Sequence, residues 1–98
     1  MRVHISSAAH RDLDEIHDYW AERVSLEVAR DLVYAITARF ALFAESPDAG
    51  RKRDDIAPGI RCFPSQKYLI YYRRARASIE ILRILHGARD QHSAFRNE

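Results

Sequence analysis

Arg61, Arg83 and His86, with Arg89 just beyond, lie in or beside three short apolar stretches between Pro58 and Asp90. Cleavage of RNA by 2′-hydroxyl attack needs a general base, a general acid and cations that hold the phosphate. One histidine with arginines could supply these parts if one end of a sheet brings them together. Both proton-transfer roles would then fall on a single imidazole, which weighs against catalysis. A second reading is structural. Arg83 sits inside Ile81-Leu82-Arg83-Ile84-Leu85, the most apolar stretch of the chain. A charge buried there costs several kcal/mol, roughly, unless it is paired. Asp90, Glu80 or a helix carboxylate are the candidate partners. A third use is recognition: Arg51, Arg53, Arg61, Arg73, Arg83, His86 and Arg89 together could meet an anionic partner.

Other chemistry finds less support. His10 and His17 are seven residues apart, two turns along one helix, too far to share a metal alone. No pair has HExxH or CxxC spacing, so no metal site and no cofactor is expected. Cys62 is the sole cysteine. It has apolar neighbours in Ile60 and Phe63 and suits a packed thiol. The three glycines are dispersed and form no phosphate-binding loop. Tyr68, Tyr71 and Tyr72 could stack on bases, but aromatics on a central strand more often pack across it.

The elements that must position these residues follow from periodicity. Arg2 to Ser6 alternates and predicts a first strand with Val3 and Ile5 inward. Ser6 or Ser7 caps a helix, whose apolar stripe is Ala9, Leu13, Ile16, Trp20 and Val24. Asp12, Asp14, Glu15, Asp18 and Glu22 mostly face water. Ser25 offers a second cap, with Glu27 suiting the helix dipole. Ala29, Leu32, Val33, Ile36, Phe40 and Phe43 make one further stripe, stopped by Pro47. Helices joined by so short a turn lie antiparallel as a hairpin. Residues 48–59 read as a charged loop. Strands are then predicted over Ile60–Phe63, Lys67–Arg74 and Ser78–His86, an antiparallel meander. The middle one is apolar on both faces and should be central. Residues 88–98 read as a polar tail, with 91–98 flexible. The layout is β-α-α-β-β-β: an α+β, two-layer fold with a helical hairpin on a small, mostly antiparallel sheet.

Ninety-eight residues with 47% apolar content suit one domain spanning 1–98. No apolar run approaches the ~20 residues that span a bilayer, and the first residues lack a secretory h-region. With one cysteine, a reducing cytoplasm is the expected setting. Residues 1–50 carry a net −4 and residues 51–98 a net +6. The basic half could meet nucleic acid or an acidic protein segment.

The order of motifs resembles a known family. Ala9-x-x-Asp12-Leu13-x-x-Ile16-x-x-Tyr19-Trp20, Ser46-Pro47 followed by Gly50-Arg51, Pro58-Gly59-Ile60-Arg61, Tyr68-Leu69-Ile70-Tyr71-Tyr72-Arg73 and Ile79 through Asp90 resemble ParE-type toxins of the RelE/ParE superfamily. The resemblance spans about residues 3 to 90. It implies the toxin of a bacterial type II toxin–antitoxin pair, captured in a hetero-oligomer by a cognate antitoxin whose C-terminal segment wraps it. It also implies DNA gyrase as the target, poisoned without enzymatic turnover. The related RelE branch cuts mRNA on the ribosome with basic residues and often a C-terminal tyrosine or histidine. Here the segment Gln91-His92-Ser93-Ala94-Phe95 has no tyrosine, and the strands lack a dense lysine cluster. If the chain were such a nuclease, Arg61, Arg83 and His86 would carry the chemistry.

Overall fold

The computed structural model describes residues 1–96. The elements are β1 (Arg2–Ile5), α1 (Ser7–Arg23), α2 (Leu26–Thr37), α3 (Phe40–Glu45), β2 (Arg51–Lys52), β3 (Ile60–Ser65), β4 (Tyr68–Arg74), β5 (Ser78–His86) and α4 (Gln91–Arg96). Serines start both long helices as their hydroxyls take up first-turn N–H groups: Ser6 accepts from Ala9 N and Ser25 from Val28 N. The strand order is β1-β5-β4-β3-β2, so β4 is central. β2 to β5 form an antiparallel meander, and β1 adds to β5 in parallel. This is the expected α+β architecture.

β4 earns its position by alternation. Tyr68, Ile70 and Tyr72 pack into the main core with Ala9, Leu13, Ile16, Ile36, Phe40 and Phe43 from the helices. Tyr71, facing the other way, packs with Ile60, Cys62, Leu85 and Ala94. Both sides of the strand are therefore buried, as its sequence required. Ile60, Cys62 and Ser65 are buried on β3. The β3–β4 turn is tight, and Gln66 meets its geometry with a left-handed φ of 58°.

Several expectations are corrected. The second helical stripe is continuous, but the helix is not. Arg39 N bonds Ile36 O and Leu42 N bonds Arg39 O, three residues back rather than four. This tighter turn separates α2 from α3 while keeping Phe40 and Phe43 in phase with the core. The charged loop contains a short strand, β2, opposite Cys62 and Arg61. β3 runs two residues beyond Phe63. Val3 is 37% exposed rather than inward. Asp12 is buried, unlike its acidic neighbours on α1. The polar tail folds as α4, which lays Ala94 and Phe95 against the sheet face opposite the helical hairpin. Residues 97–98 of that tail lie outside the described residues.

Candidate functional site

β1 pairs with β5 only as far as Ile5 opposite Ile81. Beyond that point the edge of β5 is closed by side chains of α1. The Ser6 hydroxyl donates to Leu82 O at 2.9 Å, and Asp12 Oδ2 accepts from Ile84 N at 2.9 Å. The same carboxylate takes two bonds from Arg83, Nε at 2.8 Å and Nη2 at 3.0 Å. Arg83 Nη1 then donates to Ala94 O of α4. One buried arginine thus ties α1, β5 and α4 together. The partner is the helix carboxylate among the three candidates weighed from sequence.

The remaining candidate cations are placed differently. Arg61 reaches Asp48 at 3.1 Å and donates to Gly50 O at 2.8 Å, pinning the loop after α3. Arg53 makes a two-pronged pair with Asp55 at 3.0 and 2.9 Å and donates to the Tyr71 hydroxyl at 3.1 Å. That hydrogen-bonded pair holds the Asp55 carboxyl down at about 2 and the Arg53 guanidinium above its usual value. Tyr71 passes the chain on to Gln91 Oε1 at 2.6 Å, and His92 meets Asp55 at 3.0 Å, so α4 is latched to the β2–β3 loop. Arg73 pairs with Glu80 at 2.7 Å. Arg51, His86 and Arg89 are exposed. Arg61 registers with Tyr72 and His86 with Tyr68, two strands and four residues apart. That separation is on the order of 15 Å. His86 is three residues from Arg83 along β5, about 10 Å. Arg61, Arg83 and His86 are not brought together.

His86 and Arg89 instead border an open groove of about 430 Å³ between α1 and the β4–β5 end of the sheet. Glu15, Tyr19, Trp20, Lys67 and Tyr68 also line it. Trp20 Nε1 donates to the Tyr68 hydroxyl at 3.0 Å, and His86 packs edge-on to Tyr68 at 5.4 Å. Sequence reasoning placed Trp20 on the core stripe and missed its part in this groove. Its indole N–H was the available signal, since a Trp at a core edge needs an acceptor. Nearby, Val24, Leu26 and Val28 are exposed at the tip of the helical hairpin. Among the described residues, no three His, Cys, Asp or Glu side chains are grouped to hold a metal. No helix among them is long and apolar enough to cross a membrane.

Burial raises the Cys62 thiol and the Tyr72 hydroxyl, and pushes Tyr71 from 10.0 to about 12. The folded state therefore favours neutral Tyr71. Its contribution to stability is fully present below pH 10.0 and declines as pH rises towards about 12. Urea unfolding at stepped pH should show this alkaline decline, and Tyr71→Phe should flatten it. An identical decline in both proteins would refute the assignment.

A helical hairpin covers one face of a five-stranded sheet with a parallel N-terminal edge strand, and a short C-terminal helix covers the other face. The chromosomal ParDE toxin–antitoxin system from P. aeruginosa contains a chain that superposes with a TM-score of 0.78 at 25% identity, over 88% of this chain and 95% of that one. Toxin ParE1 of Caulobacter vibrioides is 32% identical over 82 residues, 84% of each chain. Toxin ParE3 of the same organism is 33% identical over 76 residues, 78% of this chain and 76% of that one. The family model for the ParE toxin of the type II toxin–antitoxin system parDE matches residues 3–91. This chain belongs to the ParE toxin family.

Proposed function

We propose that this chain poisons DNA gyrase without catalysing a reaction itself, and that a cognate antitoxin neutralises it in the cytoplasm. The family match over residues 3–91 carries this reading. The state of the candidate cations supports it over the nuclease alternative. Arg53, Arg61 and Arg83 are each committed to a carboxylate, and His86 stands apart from them. A phosphoryl-transfer site needs convergent, available groups.

The antitoxin is expected along the groove between α1 and β5. Tyr19 and Trp20 offer aromatic anchors there, with Lys67, His86 and Arg89 to meet acidic side chains. Arg51 is exposed and remains available for further contacts, whereas Arg73 is exposed but paired with Glu80.

Incubating the purified protein with gyrase and supercoiled plasmid should accumulate cleaved complexes, and adding the antitoxin encoded beside it should abolish them. No effect on supercoiling or cleavage at excess protein would sink the gyrase reading. Cuts within translated mRNA, lost in His86→Ala, would establish the RelE-type nuclease instead.

A further inference from the structure

We propose that the tip of the β4–β5 hairpin docks on duplex DNA through its phosphate backbone. The inference goes beyond the gyrase reading and does not depend on it. The tip is Arg74-Ala75-Arg76-Ala77, closed by Ala75 N donating to Ser78 O at 2.8 Å. Arg2 N donates to Ala77 O, which brings the start of β1 beside it. Arg2, Arg74 and Arg76 are exposed, and among the described residues no carboxylate lies within 4.0 Å of them. Arg73 is also exposed, and Glu80, its partner, is the one acidic residue of the hairpin's two arms near the tip.

Geometry favours a duplex over an acidic peptide. Alternation sends Arg73 and Arg74 to opposite faces of the ribbon. Ala75 and Ala77 keep the tip narrow between them. A two-stranded ribbon fits the ~12 Å major groove of B-DNA, where cations on both faces meet phosphates on both walls. An acidic peptide is usually held by an apolar pocket as well as by charge, and two alanines offer none. The rest of the molecule orients the encounter. α1 and α2 carry seven Asp or Glu against three Arg, so the helical layer turns away from a polyanion while the sheet end turns towards it.

The test is fluorescence anisotropy of a labelled ~20 bp duplex with the full chain across a salt series, without gyrase. Wild-type affinity should fall steeply with salt. Arg74→Glu with Arg76→Glu should weaken binding roughly tenfold or more and reduce the log–log salt slope by about 2. Its melting temperature should stay unchanged, because both side chains are exposed. Arg11→Glu with Arg30→Glu makes the same charge change on the helices and should leave binding nearly intact. Equal loss in both double variants would overturn the proposal, since net charge alone would then explain it. So would salt-insensitive binding, equal affinity for duplex RNA, whose narrow major groove excludes a ribbon, or binding of polyglutamate in preference to DNA.

Discussion

Asp12→Ala should remove a large share of the protein's stability. The substitution leaves the Arg83 guanidinium buried without its carboxylate and orphans the Ile84 N–H at the same time. Removing one partner of a buried ion pair costs about 3–5 kcal/mol. A chain of this size holds roughly 5–15 kcal/mol in total. Each kcal/mol moves the midpoint by about 4–8 °C in so small a domain. Calorimetry should therefore show a midpoint lower by roughly 15–30 °C. Arg83→Ala should behave alike, since it strands Asp12 in the same site. A charge-free pair, Asp12→Leu with Arg83→Met, should recover part of the loss but not all, because Ile84 N–H and Ala94 O keep no partner. A single variant melting within about 5 °C of the parent would contradict the structural role. In that case any loss of toxicity in Arg83→Ala would mark a binding residue instead.

Phe43→Ala is the second large effect. Phe43 is fully buried and stacks on Tyr72 with ring centres 4.1 Å apart and planes within 10°. It also meets Phe63 edge-on at 5.5 Å. Truncating such a residue costs about 3–5 kcal/mol. The damage should spread along a defined route. The Tyr72 hydroxyl donates to Pro47 O and accepts from Gly50 N, and Gly50 O receives Arg61. A loosened Tyr72 therefore releases the loop that Arg61 pins. Denaturant unfolding should show the lost stability, and hydrogen exchange should show the Gly50 amide opening faster than the β4–β5 ladder. A loss below about 1 kcal/mol would mean that the neighbours collapse into the vacated space.

Much of this arrangement was legible in the sequence where the signal is local. The stripes of α1 and α2, the serine caps and the two-sided burial of β4 all follow from residue types at short spacing. The features that escaped are set by distant partners. Asp12 looks like any exposed acidic residue of α1 until Arg83, 71 positions away, is folded against it. Arg53 and Arg61 read as free cations because Asp55 and Asp48 are common loop residues with no distinctive pattern. The break between α2 and α3 is silent in the apolar periodicity, since Phe40 and Phe43 stay in phase across it. α4 carries only Ala94 and Phe95 as apolar signal, and its place is fixed by Tyr71, Asp55 and Arg83. The family match, by contrast, rested on the order of several weak motifs, which no single partner decides.

The parallel pairing of β1 with β5 has a consequence for how the molecule is made. Residues 2–5 must wait for residues 78–81 before they find their neighbour. During synthesis at about 5–20 residues per second, that delay is several seconds. Throughout it the first strand has no ladder, α1 has no Arg83 to neutralise Asp12, and the sheet lacks its longest-range pairing. A nascent chain on the ribosome is therefore unfinished almost to its last strand. Such a delay leaves a window of several seconds in which Asp12 and the face that β1 will cover stay open.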